Sequence, residues 1–167
     1  IFEQVGVQFQ ESNYPDKIRV KELCEETACL YRQPAEYEPL LSRFGLAEKK
    51  NAFVTELSGG QKQKLFIILA LIADPKVVFL DELTTGLDTK ARRNVWKSLL
   101  ELKEQGLTIF LSSHFMDEVE MLCDRISILR DSRFVFTGTV QEAMEQSCCE
   151  KFEDAYLWFT GEEADDE

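Results

Sequence analysis

Two short apolar runs, VVFL at 77–80 and TIFL at 108–111, flank a stretch that Asp88 can cap and that places Ala91, Val95, Leu99 and Leu102 on one helical face before Gly106. This arrangement constrains the fold more than any other feature. An apolar run of four residues reads as a strand covered on both faces, and a helix between two such strands returns the chain so that they lie parallel. The expectation is therefore an α/β fold with a largely parallel sheet, two buried strands at 77–80 and 108–111, and a crossover helix over 89–104.

The rest of the chain fills in around that unit. QVGVQFQ at 4–10 alternates and reads as a strand ending at Gln10. Val20, Leu23, Cys24, Ala28 and Tyr31 predict a helix over about 18–32. Pro34 and Pro39 interrupt the chain, and Leu40, Leu41 and Phe44 make a second short helix that Gly45 stops. Glu48 to Asn51 form a polar turn, and a helix over 59–73 ends before Asp74-Pro75. Beyond the sheet, a short helix near 116–122 precedes a hairpin of 126–129 and 134–137 around Asp131-Ser132, and Thr139 with Glu142 forms a capping box that starts another helix.

Composition excludes several classes. The longest apolar run, Leu65 to Ala73, falls far short of the roughly 20 residues that span a bilayer. No basic segment precedes an apolar stretch in the manner of a signal peptide, so an intracellular protein is expected. Net charge is −12, and Glu150 to Glu167 hold eight acidic residues against one lysine, which reads as a solvated, partly disordered tail. That balance argues against nucleic acid bound through a broad basic face, yet leaves room for a local phosphate site. The five cysteines show no CxxC or zinc-like spacing and read as small, buried or half-buried reduced thiols, with adjacent Cys148 and Cys149 also open to a redox-sensitive reading. The chain starts at Ile1 in what looks like the middle of a strand, from which a fragment lacking its front is expected.

In open parallel sheets ligands sit at the carboxyl ends of the strands. Gln10, the pair Asp81-Glu82, and His114 fall at such ends. Adjacent carboxylates there suit a divalent ion and a polarised water: Asp81 to hold Mg²⁺, and Glu82, pointing the other way, to orient a nucleophile. An acidic strand end facing solvent is the plainer reading, and His114 or Gln10 alone is an ordinary loop or core residue. Ser58-Gly59-Gly60 at the head of an apolar helix poses a similar choice. Glycine disfavours helix by about 1 kcal/mol relative to alanine, so two together mark either a tight turn capped by Ser58 or a place where an anion approaches bare amides.

LSGGQ at 57–61, VVFLDE at 77–82, TTGLD at 84–88 and SSH at 112–114 occur in an order that resembles the ATP-binding subunit of ABC transporters. LSGGQ looks like the signature motif, VVFLDE like Walker B, TGLD like the D-loop, His114 like the switch histidine and GVQFQE at 6–11 like the Q-loop. The resemblance implies a P-loop NTPase (RecA-like) core at 1–10 and 57–139, a helical subdomain at 11–56, and a C-terminal helix with acidic tail at 140–167. It implies ATP and Mg²⁺ as cofactors, with Glu82, His114 and Gln10 in hydrolysis, Asp81 and Gln10 at the metal, and Ser58, Gly59, Gly60, Gln61 and Asp88 against the nucleotide of a second subunit. The implied partners are that second ATPase subunit, in a homodimer, and transmembrane permease subunits, with no nucleic acid. The place is the cytoplasmic face of the plasma membrane. The ending KFEDAYLWFTGEE resembles exporter-type subunits.

Departures matter too. None of the eight glycines is followed by lysine, so the G-x-x-x-x-G-K-[ST] phosphate loop is not in these residues, and they are expected neither to hydrolyse ATP nor to fold robustly alone. Leu83 stands where the family usually has proline, which is expected to loosen the turn, and Lys64 stands where arginine is common. Two other readings share the motifs: a non-catalytic half donating only Ser58–Gln61 and Asp88, and a soluble ABC ATPase acting on ribosomes or DNA.

Overall fold

Asp88 opens a 16-residue helix, α4 (Thr89–Glu104), by accepting the Ala91 N–H on Oδ1 at 2.8 Å. This satisfies one of the donors that a helix start leaves without an internal partner. Gly106, at φ +99°, turns the chain after it. The computed structural model describes residues 4–8, 14, 15 and 17–161, which divide into two units, Ile1–Ser112 and Ser113–Glu167.

In the first unit β1 (Val5–Gln8), β2 (Val77–Asp81) and β3 (Thr108–Ser112) form a sheet in the order β1-β2-β3. Both pairings are parallel, with Val7 opposite Phe79, Phe79 opposite Phe110, and Asp81 opposite Ser112. The helix α3 (Gly59–Leu71) lies directly on β1, because a Cβ at Gly6 would collide with the Ala70 carbonyl oxygen. Leu65, Ile67, Ile68, Ala70 and Leu71 of α3 are all buried.

The strands fall where expected, but β2 and β3 are not covered on both faces. Side chains alternate across a sheet, so Val7, Phe79 and Phe110 share a face, and there they remain 43%, 39% and 60% exposed. The rings of Phe79 and Phe110 pack on each other, 5.1 Å between centroids. Among the described residues β1 ends at Gln8, and Gln10 lies outside them.

The helical segment is shorter than its periodicity predicts. α1 runs Val20–Ala28 rather than 18–32, because Arg19 is extended in a bridge to Phe53 and the chain turns after Cys29. Its start is tied to the returning chain by Val20 N–H to Ala52 O (3.1 Å) and Lys21 N–H to Lys50 O (3.0 Å). In α2 (Tyr37–Arg43) Pro39 sits inside the first turn instead of interrupting the chain, since a proline there removes a donor that had no helical acceptor. Gly45, at φ +71°, ends α2 as expected. The turn before the LSGG loop is built from two single-turn 3₁₀ helices, Ala47–Lys49 and Val54–Glu56.

The second unit holds α5 (Met116–Leu122), the antiparallel hairpin β4 (Ile126–Arg130) and β5 (Arg133–Gly138), α6 (Val140–Ser147) and α7 (Phe152–Thr160). Asp131 and Ser132 both have positive φ, 48° and 60°, as a two-residue hairpin turn with the sheet's own twist requires. Thr139 caps α6 in the expected box, with the Glu142 N–H on its hydroxyl at 3.1 Å and its own N–H on Glu142 Oε2 at 2.7 Å. The acidic tail needs correction: up to Gly161 it is a packed helix. Phe152, Ala155 and Phe159 recur at i, i+3 and i+7 and join Ile126, Ile128, Phe136 and Ala143 in one core. Among the cysteines, Cys29 and Cys148 are exposed rather than half-buried, and all five are free thiols. Among the described residues no helix is long and apolar enough to cross a membrane.

Candidate functional site

The carboxyl end of β2 is where three strands deliver polar groups together. Gln8, the last residue of β1, is 2% exposed and points its side-chain Oε1 at the Asp81 N–H, 3.2 Å away. From β3, Ser112 donates its hydroxyl to Asp81 Oδ1, and its carbonyl accepts the Glu82 N–H at 3.0 Å. Strand pairing thus continues one residue past β2 and holds Asp81 from both sides.

Glu82 then leaves the sheet with φ +46°, a left-handed conformation that ordinary side chains rarely take and that clusters at functional sites. Its carbonyl accepts from the Thr85 N–H at 3.2 Å and from the Gln63 side-chain amide of α3 at 3.4 Å. Leu83, which stands where the family usually has proline, is packed inside this turn. It is completely buried, and a proline in its place would force the preceding residue into an extended conformation that φ +46° excludes. Thr84 follows, 2% exposed, with its hydroxyl unpartnered among the described residues.

The LSGG loop is a capped turn, as the plainer of its two readings has it. Ser58 is the N-cap of α3: its hydroxyl accepts the Gln61 N–H at 3.3 Å, and Gln61 Oε1 accepts the Ser58 N–H at 3.0 Å. Gln61 therefore closes the cap. Among the described residues nothing accepts from the N–H groups of Gly59 and Gly60. Gly59 is exposed and a Cβ there would meet open space, whereas a Cβ on Gly60 would come within 2.8 Å of Leu87 Cδ2. Two bare amides thus stand at the positive end of a 13-residue helix, where the dipole favours negative charge.

Asp88 is exposed and engaged as the cap of α4. His114 follows β3 by two residues, is exposed in the second unit and packs against Phe115 with 4.2 Å between tilted ring centroids. The structure thus brings Asp81 and Glu82 together in the unit that also holds Ser58–Gln61 and Asp88. Among the described residues no cluster of three or more His, Cys, Asp or Glu side chains forms a closed metal cage.

Three residues of the site escaped the sequence reading: Gln8, Gln63 and Ser112. Gln8 left a trace, as a polar residue at an inward position of an alternating strand. Gln63 and Ser112 left none, since their partners are backbone or lie on another strand.

Residues 2–85 match the family described as ABC transporter. The chain belongs to the ABC transporter family. Among its ABC relatives, the Nod factor export ATP-binding protein I of Burkholderia lata is 44% identical over 108 residues, which are 65% of this chain and 36% of that protein. The human phospholipid-transporting ATPase ABCA7 is 46% identical over 101 residues, 60% of this chain and 5% of that protein. The chain thus spans about a third of the Nod factor relative it matches. A solved ATP-binding subunit of an ABC transporter superposes with a TM-score of 0.82 at 27% identity, over 95% of this chain and 69% of its own. CbiO1 from Clostridium perfringens, part of the ABC transporter complex cbiONQ, superposes with a TM-score of 0.71 at 28% identity, over 87% of this chain and 61% of its own. The α/β fold is that of the P-loop NTPases.

Proposed function

We propose that these residues belong to an ATP-hydrolysing subunit that powers an ABC exporter. One observation carries the reading: the unbonded Gly59 and Gly60 amides open α3 in the same unit that fixes Asp81 and Glu82 at a strand end. A single protomer then offers two half-sites, a phosphate grip and a pair of carboxylates. Two copies of the full subunit placed head to tail bring these halves together at two sites. In each, Ser58–Gln61 and Asp88 of one subunit face the terminal phosphate held by the other, whose Glu82 accepts a proton from the attacking water and whose His114 donates to the transferred phosphoryl group. Asp81, with Gln10, would hold Mg²⁺, which neutralises phosphate charge when bound. The subunit acts on the cytoplasmic face of the plasma membrane, coupled to separate transmembrane permease subunits. Export is supported by the relatives whose names carry it and by the KFEDAYLWFTGEE ending.

No G-x-x-x-x-G-K-[ST] occurs in the 167 residues, and this reading needs a phosphate cradle that they do not supply. Magnesium-dependent ATPase is measured on the full-length protein and on the 167-residue stretch. Hydrolysis is expected from the first alone, and Glu82→Gln is expected to lower kcat by roughly 10²–10⁴-fold while nucleotide still binds. Full ATPase activity in the Glu82→Gln protein defeats the assignment.

A further inference from the structure

Glu82 is held in a conformation its own side chain does not favour, and backbone of that kind persists only where the surroundings over-determine it. Three contacts do so here. Its N–H is taken by Ser112 O at 3.0 Å, and its carbonyl oxygen uses both lone pairs, one for the Thr85 N–H at 3.2 Å and one for Gln63 Nε2 at 3.4 Å. The first two are backbone groups that any sequence would supply. The third is a side chain from a different element, chosen by the sequence.

We propose that Gln63 is a positioning residue for Glu82, its side-chain amide fixing the left-handed backbone that sets where the carboxylate points. The idea rests on the catalytic reading of Glu82 given above. Gln63 lies on α3, one turn beyond the Gly59 and Gly60 amides, and the same two segments run close at Gly60, where an added Cβ would come within 2.8 Å of Leu87 Cδ2. The turn at 82–88 therefore lies near α3 at both places. Removing the amide takes the Gln63 donor away from the Glu82 carbonyl and frees residue 82 to relax toward negative φ. Leu83 permits the arrangement without enforcing it, because a non-proline follower allows either sign of φ.

The test compares Gln63→Glu, which is nearly isosteric but has no N–H to donate, with Gln63→Lys, which keeps a donor at similar reach. Both are made in the full-length protein and read in two ways: φ of residue 82 in crystal structures, and kcat and KM for ATP. The expected result for Q63E is a negative φ at Glu82 and a kcat lowered roughly tenfold to a hundredfold with KM little changed, as a misplaced reacting group gives. Q63K is expected to keep the positive φ and most of kcat. A positive φ at Glu82 in Q63E overturns the proposal whatever the activity, and so does an equal loss of kcat in Q63E and Q63K. If the wild-type protein shows no hydrolysis while Q63E still loses the positive φ, the catalytic reading of Glu82 falls and the backbone role of Gln63 stands.

Discussion

Asp81 ends its strand with its N–H on the side-chain oxygen of Gln8, 3.2 Å away across the sheet. A glutamine side chain here does what a neighbouring backbone carbonyl does elsewhere in the ladder, at a residue that is 2% exposed. Replacing Gln8 by leucine keeps the bulk and leaves a part-buried N–H without its acceptor. The expected cost is about 1–3 kcal/mol, read as a lower urea midpoint at unchanged m.

Gly59 and Gly60 are expected to respond oppositely to alanine. At Gly59 the Cβ enters open space, so Gly59→Ala should stabilise α3 by up to about 1 kcal/mol while weakening nucleotide-dependent activity through a blocked approach to the amides. At Gly60 the Cβ must displace Leu87 Cδ2, only 2.8 Å away, and stability should fall. Thermal melts together with ATPase assays separate the two effects.

Thr84 is 2% exposed and its hydroxyl has no acceptor or donor among the described residues. Thr84→Val exchanges that hydroxyl for a methyl of similar shape. Stability is expected to rise by about 1 kcal/mol in chemical denaturation.

Burial pushes the Cys24 thiol up to about 12, with the charges of Glu25 and Glu38 adding to the effect. At pH 8 iodoacetamide should therefore label exposed Cys29 and Cys148 and leave Cys24 unmodified until the protein unfolds. The folded value lies above the ordinary thiol value of 9.0, so this contribution to stability is complete below pH 9.0 and is lost as pH rises toward 12. Cys24→Ala should flatten the loss of stability over that interval.

Where sequence and structure agree, the signal was local. Asp88 with Ala91, and Thr139 with Glu142, start helices through contacts a few residues apart, and both helices begin where those residues predict. Where they diverge, the deciding interaction was distant or misweighted. VVFL and TIFL looked buried on both sides, yet the burial of Phe79 and Phe110 depends on what lies over that face and not on the run itself. The carboxylates of Glu150, Glu153 and Asp154 drew attention away from Phe152, Ala155 and Phe159, whose spacing announces α7. At the site, the pairing of Asp81 with Glu82 was legible as adjacent letters. The left-handed backbone at Glu82 and the clamp of Gln8, Ser112 and Gln63 were not, because they arise only when three strands and a helix meet.

The burial of Leu65, Ile67, Ile68, Ala70 and Leu71 along α3 has a consequence for the loop at its head. A rod gripped along its length neither rolls nor slides without wetting several of those side chains. Its first amides consequently hold one orientation, and on the proposed function little ordering entropy remains to be lost when a phosphate binds.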